Sequence, residues 1–230
     1  MIGHSFPRAY DLRKLIRKEA DITSTPEVPR DGLFVEYTMD YISGTTIYDT
    51  NDTDTKYDGT ISGATICQGA INNGLSFDGV DDYLSVDIAK PSIYSISGWV
   101  YGAIDVYAGF GRRSGNSAYN GQTWFRTHCC FYHNGISQAS DEEYNASTGA
   151  SGWNHYVMTK NGTSIKIWKN KIQTINGTLG TDRDTNFSNF YGPGQETSGY
   201  LSFKMDQVRF YNKALSMDEI EILYNEREVT

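Results

Sequence analysis

The sequence predicts an all-β protein, a two-sheet antiparallel sandwich or jelly roll with a short C-terminal helix and an N-terminal arm. Three observations carry that expectation. Short runs alternate apolar and polar residues, as in LFVEYTMDY, YLSVDI, SISGWVYG, WNHYVMTK and SIKIWKNKI, which is the period of strands with one buried face. Glycine-rich turns recur at 109–115, 149–152 and 192–199, and Asn161-Gly162 joins two of the alternating runs, the strongest short-range hairpin signal. The 230 residues include 23 glycines and 17 tyrosines, with 13% aromatic, a composition that favours strands and tight turns over a helical bundle. No internal repeat is visible, and the length suits one sandwich with an appendage.

Residues 1–31 are the appendage. RAYDLRKLIRKEA places Arg8, Arg13, Lys14, Arg17 and Lys18 around an apolar stripe of Leu12, Leu15 and Ile16, at helical spacing. Asp11 precedes most of the cations, an order that suits the helix dipole. DITSTPEVPRDG follows with two prolines and several turn formers, and reads as an extended linker. A stripe this short does not hold a helix alone. The arm is therefore expected to pack on a partner or on its own body, or to stay a disordered leader.

The domain spans 32–230. In LSFDGVDDYLSV, Leu75 and Phe77 share one face, and Leu84, Val86 and Ile88 supply the core face of the next strand. Asp78-Gly79-Val80-Asp81-Asp82 between them is expected to shape a hairpin, with Asp-Gly giving positive φ and the acids capping turn amides. Trp99, Trp153 and Trp168 lie on alternating strands and are expected in the core. In GYLSFKMDQVRFYN the apolar parity of Leu201, Phe203 and Met205 flips before Val208 and Phe210, which predicts a β-bulge at Asp206-Gln207. Ser216 and Glu219 form a capping box ahead of Ile220, Leu223 and Tyr224, predicting a short helix against the sandwich.

Several functions are disfavoured by composition. A formal net charge of −8 offers no basic field for a phosphate backbone, so no nucleic-acid partner is expected. No apolar run approaches about 18 residues, so no membrane insertion is expected. Cys67, Cys129 and Cys130 have neither metal spacing nor an even disulfide framework, and read as buried free thiols. The N-terminus lacks the apolar stretch of a secretory signal. The Asn-x-Ser/Thr sites at Asn51, Asn145, Asn161, Asn176 and Asn186 therefore read as turns. His4, His128, His133 and His155 have no nucleophile elbow beside them and no HExxH.

Motifs in order across roughly 32–226 resemble the laminin G-like members of the concanavalin A-like lectin/glucanase superfamily. They are DGLFVEYTMD, YDGTISGAT, LSFDGVDDYLSV, SISGWVY, the tryptophan-led SGWNHYVMTKNGTSIKIWKNKI, and the closing MDQVRFYNKALSMDEI. The resemblance implies a concanavalin A-like jelly roll of two antiparallel sheets. It also implies a search for the strand-borne Glu-x-Asp-x-x-Glu cluster of retaining glucanases, whose carboxylates lie ~5–5.5 Å apart. That spacing is absent. Adjacent acids in Asp141-Glu142-Glu143 would face opposite ways on a strand, and Asp218, Glu219 and Glu221 fall in the closing helix. No catalytic residue is expected. Superfamily members often hold a structural Ca²⁺ at the sandwich edge. Here Asp49, Asp52 and Asp54 of the acidic stretch, with Asp206 at the bulge, offer hard oxygen donors suited to Ca²⁺; a solvated acidic loop explains the stretch as well.

Sugar sites pair an aromatic face with fixed polar groups. RRSGNSAYNGQTW supplies Arg112, Arg113, Asn116, Tyr119, Asn120 and Trp124 as such a set. Two functions follow as expectations. In the first, the chain is a non-catalytic decoration protein of a virion, that of a bacteriophage. Its arm (Arg8, Leu12, Arg13, Lys14, Ile16, Arg17, Lys18) docks on capsid or tail proteins, and the sandwich meets host cell-surface glycans. In the second it is a free-standing carbohydrate-binding lectin, soluble inside the cell. A glycan-cleaving enzyme of the same fold ranks third. Self-association into a homo-oligomer is expected, because sandwich edges need protection.

Overall fold

The computed structural model describes residues 27–89, 91–102, 152–178 and 202–229, with the short strands at 108–110, 113–114, 118–119, 122–125, 130–133, 136–137 and 189–190. The larger sheet has eight antiparallel strands. Seven run in the order Ile172–Thr178, Ser164–Lys169, Trp153–Asn161, Ile93–Tyr101, Ser202–Tyr211, Asn73–Asp78 and Thr65–Gln68, and Leu33–Tyr37 also pairs with Ser202–Tyr211. A smaller sheet joins Ile42–Ser43, Thr46–Ile47, Gly59–Ser62 and Tyr83–Ser85. Ile47, Ile61 and Leu84 of the smaller sheet share one buried cluster with Val35, Phe77, Ile96, Met158, Ile167 and Phe210 of the larger. The expected two-layer antiparallel sandwich is therefore present, with the core between the sheets.

Ser202–Tyr211 organises the larger sheet. One edge pairs with Ile93–Tyr101; the other pairs first with Asn73–Asp78 and then, past the bulge, with Leu33–Tyr37. The change of partner falls at Asp206-Gln207, where the register slips and Gln207 takes φ +48. This is the bulge that the parity flip predicts. It keeps Phe203 and Met205 in the core and returns Val208 and Phe210 to it, while Arg209 and Tyr211 turn to the opposite face.

That opposite face carries the helix Met217–Asn225. Its expected capping box is present: Ser216 Oγ accepts from the Glu219 N–H at 3.3 Å, and the Ser216 N–H donates to the Glu219 carboxylate at 2.9 Å. Ile220 and Leu223 bury against Val157, Trp168, Tyr211 and Leu215. The end of the linker is fixed to the body as well. Val28 packs on this cluster, Arg30 pairs with Glu36 at 2.9 Å, and Lys213 pairs with Asp31 at 2.5 Å. Among the described residues no helix is long and apolar enough to cross a membrane.

Two local expectations change. Asp78–Asp82 links the two sheets rather than closing a hairpin: Asn73–Asp78 pairs within the larger sheet, and Tyr83–Ser85 pairs with Gly59–Ser62 in the smaller. Alternation reports that each strand has a buried face, not which strand lies beside it. The acids nevertheless cap the turn, since Asp78 accepts from the Val80 N–H at 2.7 Å and Asp82 from the Asp78 N–H at 2.8 Å. The Asn161 hairpin forms one residue later than expected. Asn161 pairs with Ser164, leaving Gly162 (φ +58) and Thr163 as the turn. SIKIWKNKI is two strands, not one, folded at Asn170-Lys171 with φ of +51 and +69, a type I′ geometry. Asn170 is held there by the His155 N–H (2.8 Å) and by its own donation to Asn154 Oδ1 (2.9 Å).

Candidate functional site

Directly paired residues of an antiparallel sheet point to the same side. Trp153 pairs with Tyr101, Tyr101 with Lys204, Lys204 with Ser76, and Ser76 with Thr65. Their chain neighbours Val100, Met205 and Leu75 lie in the core, so this row occupies the face away from the core. With strands about 4.8 Å apart, the row is roughly 19 Å long. Tyr101 is 38% exposed; Trp153, Lys204 and Ser76 are half-buried and Thr65 is exposed. Trp153 meets Tyr101 edge-on with centroids 5.8 Å apart, its indole reaches Gly74, and Lys204 Nζ sits 5.1 Å above the Tyr101 ring.

Trp153 is thus not a core residue. Its parity matches His155, on the outward face, and as the first residue of its strand it lies at the open end. Trp99 and Trp168 are buried as expected, but on the helix side: Trp168 packs in the helix cluster and Trp99 stacks on Tyr224 at 5.6 Å.

Behind the exposed row lies a buried one of His155, Trp99 and Asp206, in register across three strands. The Arg227 guanidinium lies 5.4 Å above the Trp99 ring. His155 Nε2 shares a hydrogen bond with Ser97 Oγ at 2.9 Å, and burial, reinforced by the charge on Arg209, holds its pKa down at about 3. The imidazole is neutral at ordinary pH. Asp206 accepts from the Ile71 N–H at 2.8 Å and from its neighbour Gln207 at 2.7 Å. Burial pushes its carboxyl up to about 7 even so. A Cβ on Gly69 would lie 2.6 Å from Asp206 Oδ2 and from the Asn73 carbonyl, so only glycine lets that turn close on the carboxylate. Asp206 anchors a turn.

An ion cluster fixes the rest of this face. Arg209, 2% exposed, donates to Glu36 at 3.0 Å, to both oxygens of Glu226 at 2.8 Å, and to Gln207 at 2.8 Å. Burial opposes the charge on Glu36, but Arg209 and Arg30 outweigh it and hold the carboxyl at about 2. The cluster ties the first strand, the bulged strand and the end of the helix together, and so fixes where Arg227 sits.

The residues expected to hold calcium do not converge. Among the described residues, the group of three or more candidate ligands whose atoms lie within 4.8 Å is Asp78, Asp81 and Asp82. Asp49, Asp52, Asp54 and Asp206 form no such group. Asp52 and Asp54 are exposed, while Asp49 is fully buried. Its oxygens accept from the backbone of Glu36, Asn51 and Tyr57 and from the Asn51 side chain. These donors fold the acidic loop around Asp49.

Of the expected sugar-binding residues, Arg112, Asn116 and Asn120 lie outside the described residues. Arg113 pairs with Tyr119 in a two-stranded ladder, and Trp124 stands opposite Cys130 and Gly109 in a four-stranded sheet. That stretch belongs to the chain between Tyr101 and Trp153. The arm residues Arg8, Leu12, Arg13, Lys14, Ile16, Arg17 and Lys18 also lie outside the described residues.

The sequence profile of the concanavalin A-like lectin/glucanases superfamily, in its laminin G form, matches residues 78–221. The chain belongs to this superfamily. Solved structures at low identity share its lectin-like fold. A sialidase of Trypanosoma rangeli superposes with a TM-score of 0.65 and 17% identity, over 94% of this chain and 38% of its own. Botulinum neurotoxin type C, which interacts with two ganglioside molecules, gives 0.61 and 16%, over 86% and 52%. Domain 4 of the extracellular arabinanase AbnA from Geobacillus stearothermophilus, solved with arabinotriose, gives 0.58 and 15%, over 84% and 98%. This lectin-like chain therefore spans 38% of the sialidase chain and about half of the toxin chain, but nearly all of the arabinanase domain. No curated protein matches it.

Proposed function

We propose that this chain is a non-catalytic glycan-binding module, and that Tyr101 and Trp153 form its sugar platform. One observation carries the reading: an aromatic pair, exposed Tyr101 and half-buried Trp153, lies in register with Lys204, Ser76 and Thr65 on the face away from the core. Aromatic faces stack on sugar C–H groups, and the flanking ammonium and hydroxyls supply directed hydrogen bonds. The superfamily and the ligands of two fold relatives, gangliosides and arabinotriose, support it. A glycan array of the full chain tests it. Binding is expected for the native sequence and lost in Tyr101→Ala/Trp153→Ala with the fold retained; binding unchanged in the variant removes the platform.

A finer reading is that a larger assembly, a virion surface, displays the module through its N-terminal arm. The support is the cluster Arg8, Arg13, Lys14, Arg17 and Lys18 in a chain of net charge −8, together with a linker end pinned to the body by Val28, Arg30 and Asp31. Electron microscopy of candidate capsid or tail particles, mixed with the full chain or with a chain starting at Glu27, tests this. Decoration by the full chain alone is expected. Equal decoration by both, or by neither, removes the anchoring role.

A further inference from the structure

The exposed row carries an uneven charge. Lys204 rests on the Tyr101 ring and Arg227 on the Trp99 ring, at 5.1 and 5.4 Å from the centroids. Tyr101 and Trp99 are two residues apart on one strand and face the same way, about 7 Å from each other. Two cations thus lie over adjacent rings beside the platform. Three acidic groups on this side are engaged elsewhere. Asp206 is buried and accepts from two backbone amides, Glu226 grips Arg209 with both oxygens, and Asp78 caps the Val80 amide of its own turn. Among the described residues Lys204 has no ion-pair partner, whereas Lys171 and Lys213 on the same side are paired with Glu221, Asp31 and Glu219.

We infer that the glycan this site takes is acidic: a sugar ring lies on Trp153 and Tyr101, and its carboxylate sits between Lys204 and Arg227. The inference rests on the glycan-binding reading and names the ligand class for the same surface. A cation seated on an aromatic ring is held in place before the ligand arrives, which limits the ordering cost of binding. A charge-assisted hydrogen bond to a carboxylate then discriminates against a neutral sugar.

The test is calorimetric titration of the full chain with oligogalacturonate, hyaluronan oligomers and sialyllactose, each beside its carboxyl-reduced, neutral counterpart. At least one acidic sugar is expected to bind more tightly than its reduced form by about tenfold or more. Lys204→Gln and Arg227→Gln are each expected to remove most of that preference; Arg227→Gln should leave affinity for the reduced form unchanged, whereas Lys204→Gln should also weaken it, because Lys204 is part of the platform. Raising the salt should weaken the acidic sugar and spare the neutral one. Equal or tighter binding of the reduced sugars overturns the acidic class and leaves glycan binding standing. Failure of both acidic and neutral sugars to bind, here and on the glycan array, overturns both readings.

Discussion

The two faces of the eight-stranded sheet are built by different rules. The inner face is largely apolar, with Phe77 stacked on Phe203 at 4.4 Å and nearly parallel, and Lys160 and Asn154 are buried polar residues at the two ends of one of its strands. The outer face buries Arg209, Glu36 and His155 beneath a helix, then opens onto Tyr101, Trp153 and Lys204 where the helix ends. Apolar packing is set by volume, so the inner face states only that a sandwich forms. Polar groups must be matched one by one, so the outer face fixes which residues are presented and where.

Breaking each face should give losses of similar size with different remedies. Phe77→Ala is expected to cost about 3–5 kcal/mol through the cavity it leaves. Arg209→Ala is expected to cost about 3–5 kcal/mol, because Glu226 loses both of its hydrogen bonds from the guanidinium and buried Glu36 keeps only one of its two arginines, Arg30. Replacing Arg209 and Glu36 together by Met and Gln should recover part of the second loss. No polar exchange should recover the first. Denaturant unfolding checks both, and an outer face insensitive to Arg209→Ala would end the distinction.

Acid should act chiefly on the outer face. Glu36 is held at about 2 against an ordinary 4.5. Its stabilisation is present above pH 4.5 and lost as pH falls from there towards 2, about 3 kcal/mol in all. His155, held at about 3 against 6.5, binds its proton more readily unfolded, so its share is present above 6.5 and lost on the way down to 3. Asp206 runs the other way. With a folded pKa of about 7 against 3.8, its contribution is full below 3.8 and is lost as pH rises through 7. Unfolding midpoints across pH 3–8, for the native chain and for Glu36→Gln, measure these slopes; a Glu36→Gln chain that keeps the whole acid loss would contradict the assignment to Glu36.

Smaller effects sharpen the division. Ser216→Ala removes the helix cap and should cost about 1 kcal/mol, seen as a lowered melting temperature with sugar binding intact. Lys204→Gln should change stability by no more than about 0.5 kcal/mol, although it lies in the centre of the exposed row.

The inner face was largely legible in the sequence. Period-two alternation located its strands, and the parity flip between Met205 and Val208 located the bulge. The capping box at Ser216 likewise marked the helix. The outer face was not legible, because its contacts carry no local signature. Arg209 meets Glu36 across 173 positions of the chain. The Asn170-Lys171 turn places a lysine in a left-handed conformation where no glycine announces it. Asp-Gly at 78–79 signals a turn equally well whether the chain returns to the same sheet or crosses to the other. Trp153 looks like a core tryptophan until its parity can be compared with that of His155 under the helix.

The most direct test of the account compares calorimetric titration of the full chain with that of Tyr101→Ala/Trp153→Ala, against the best glycan from the array, alongside thermal unfolding of both. The account predicts similar unfolding temperatures, measurable binding by the native chain and none by the variant. Binding that survives in a folded variant, or no glycan binding by the native chain, would contradict it.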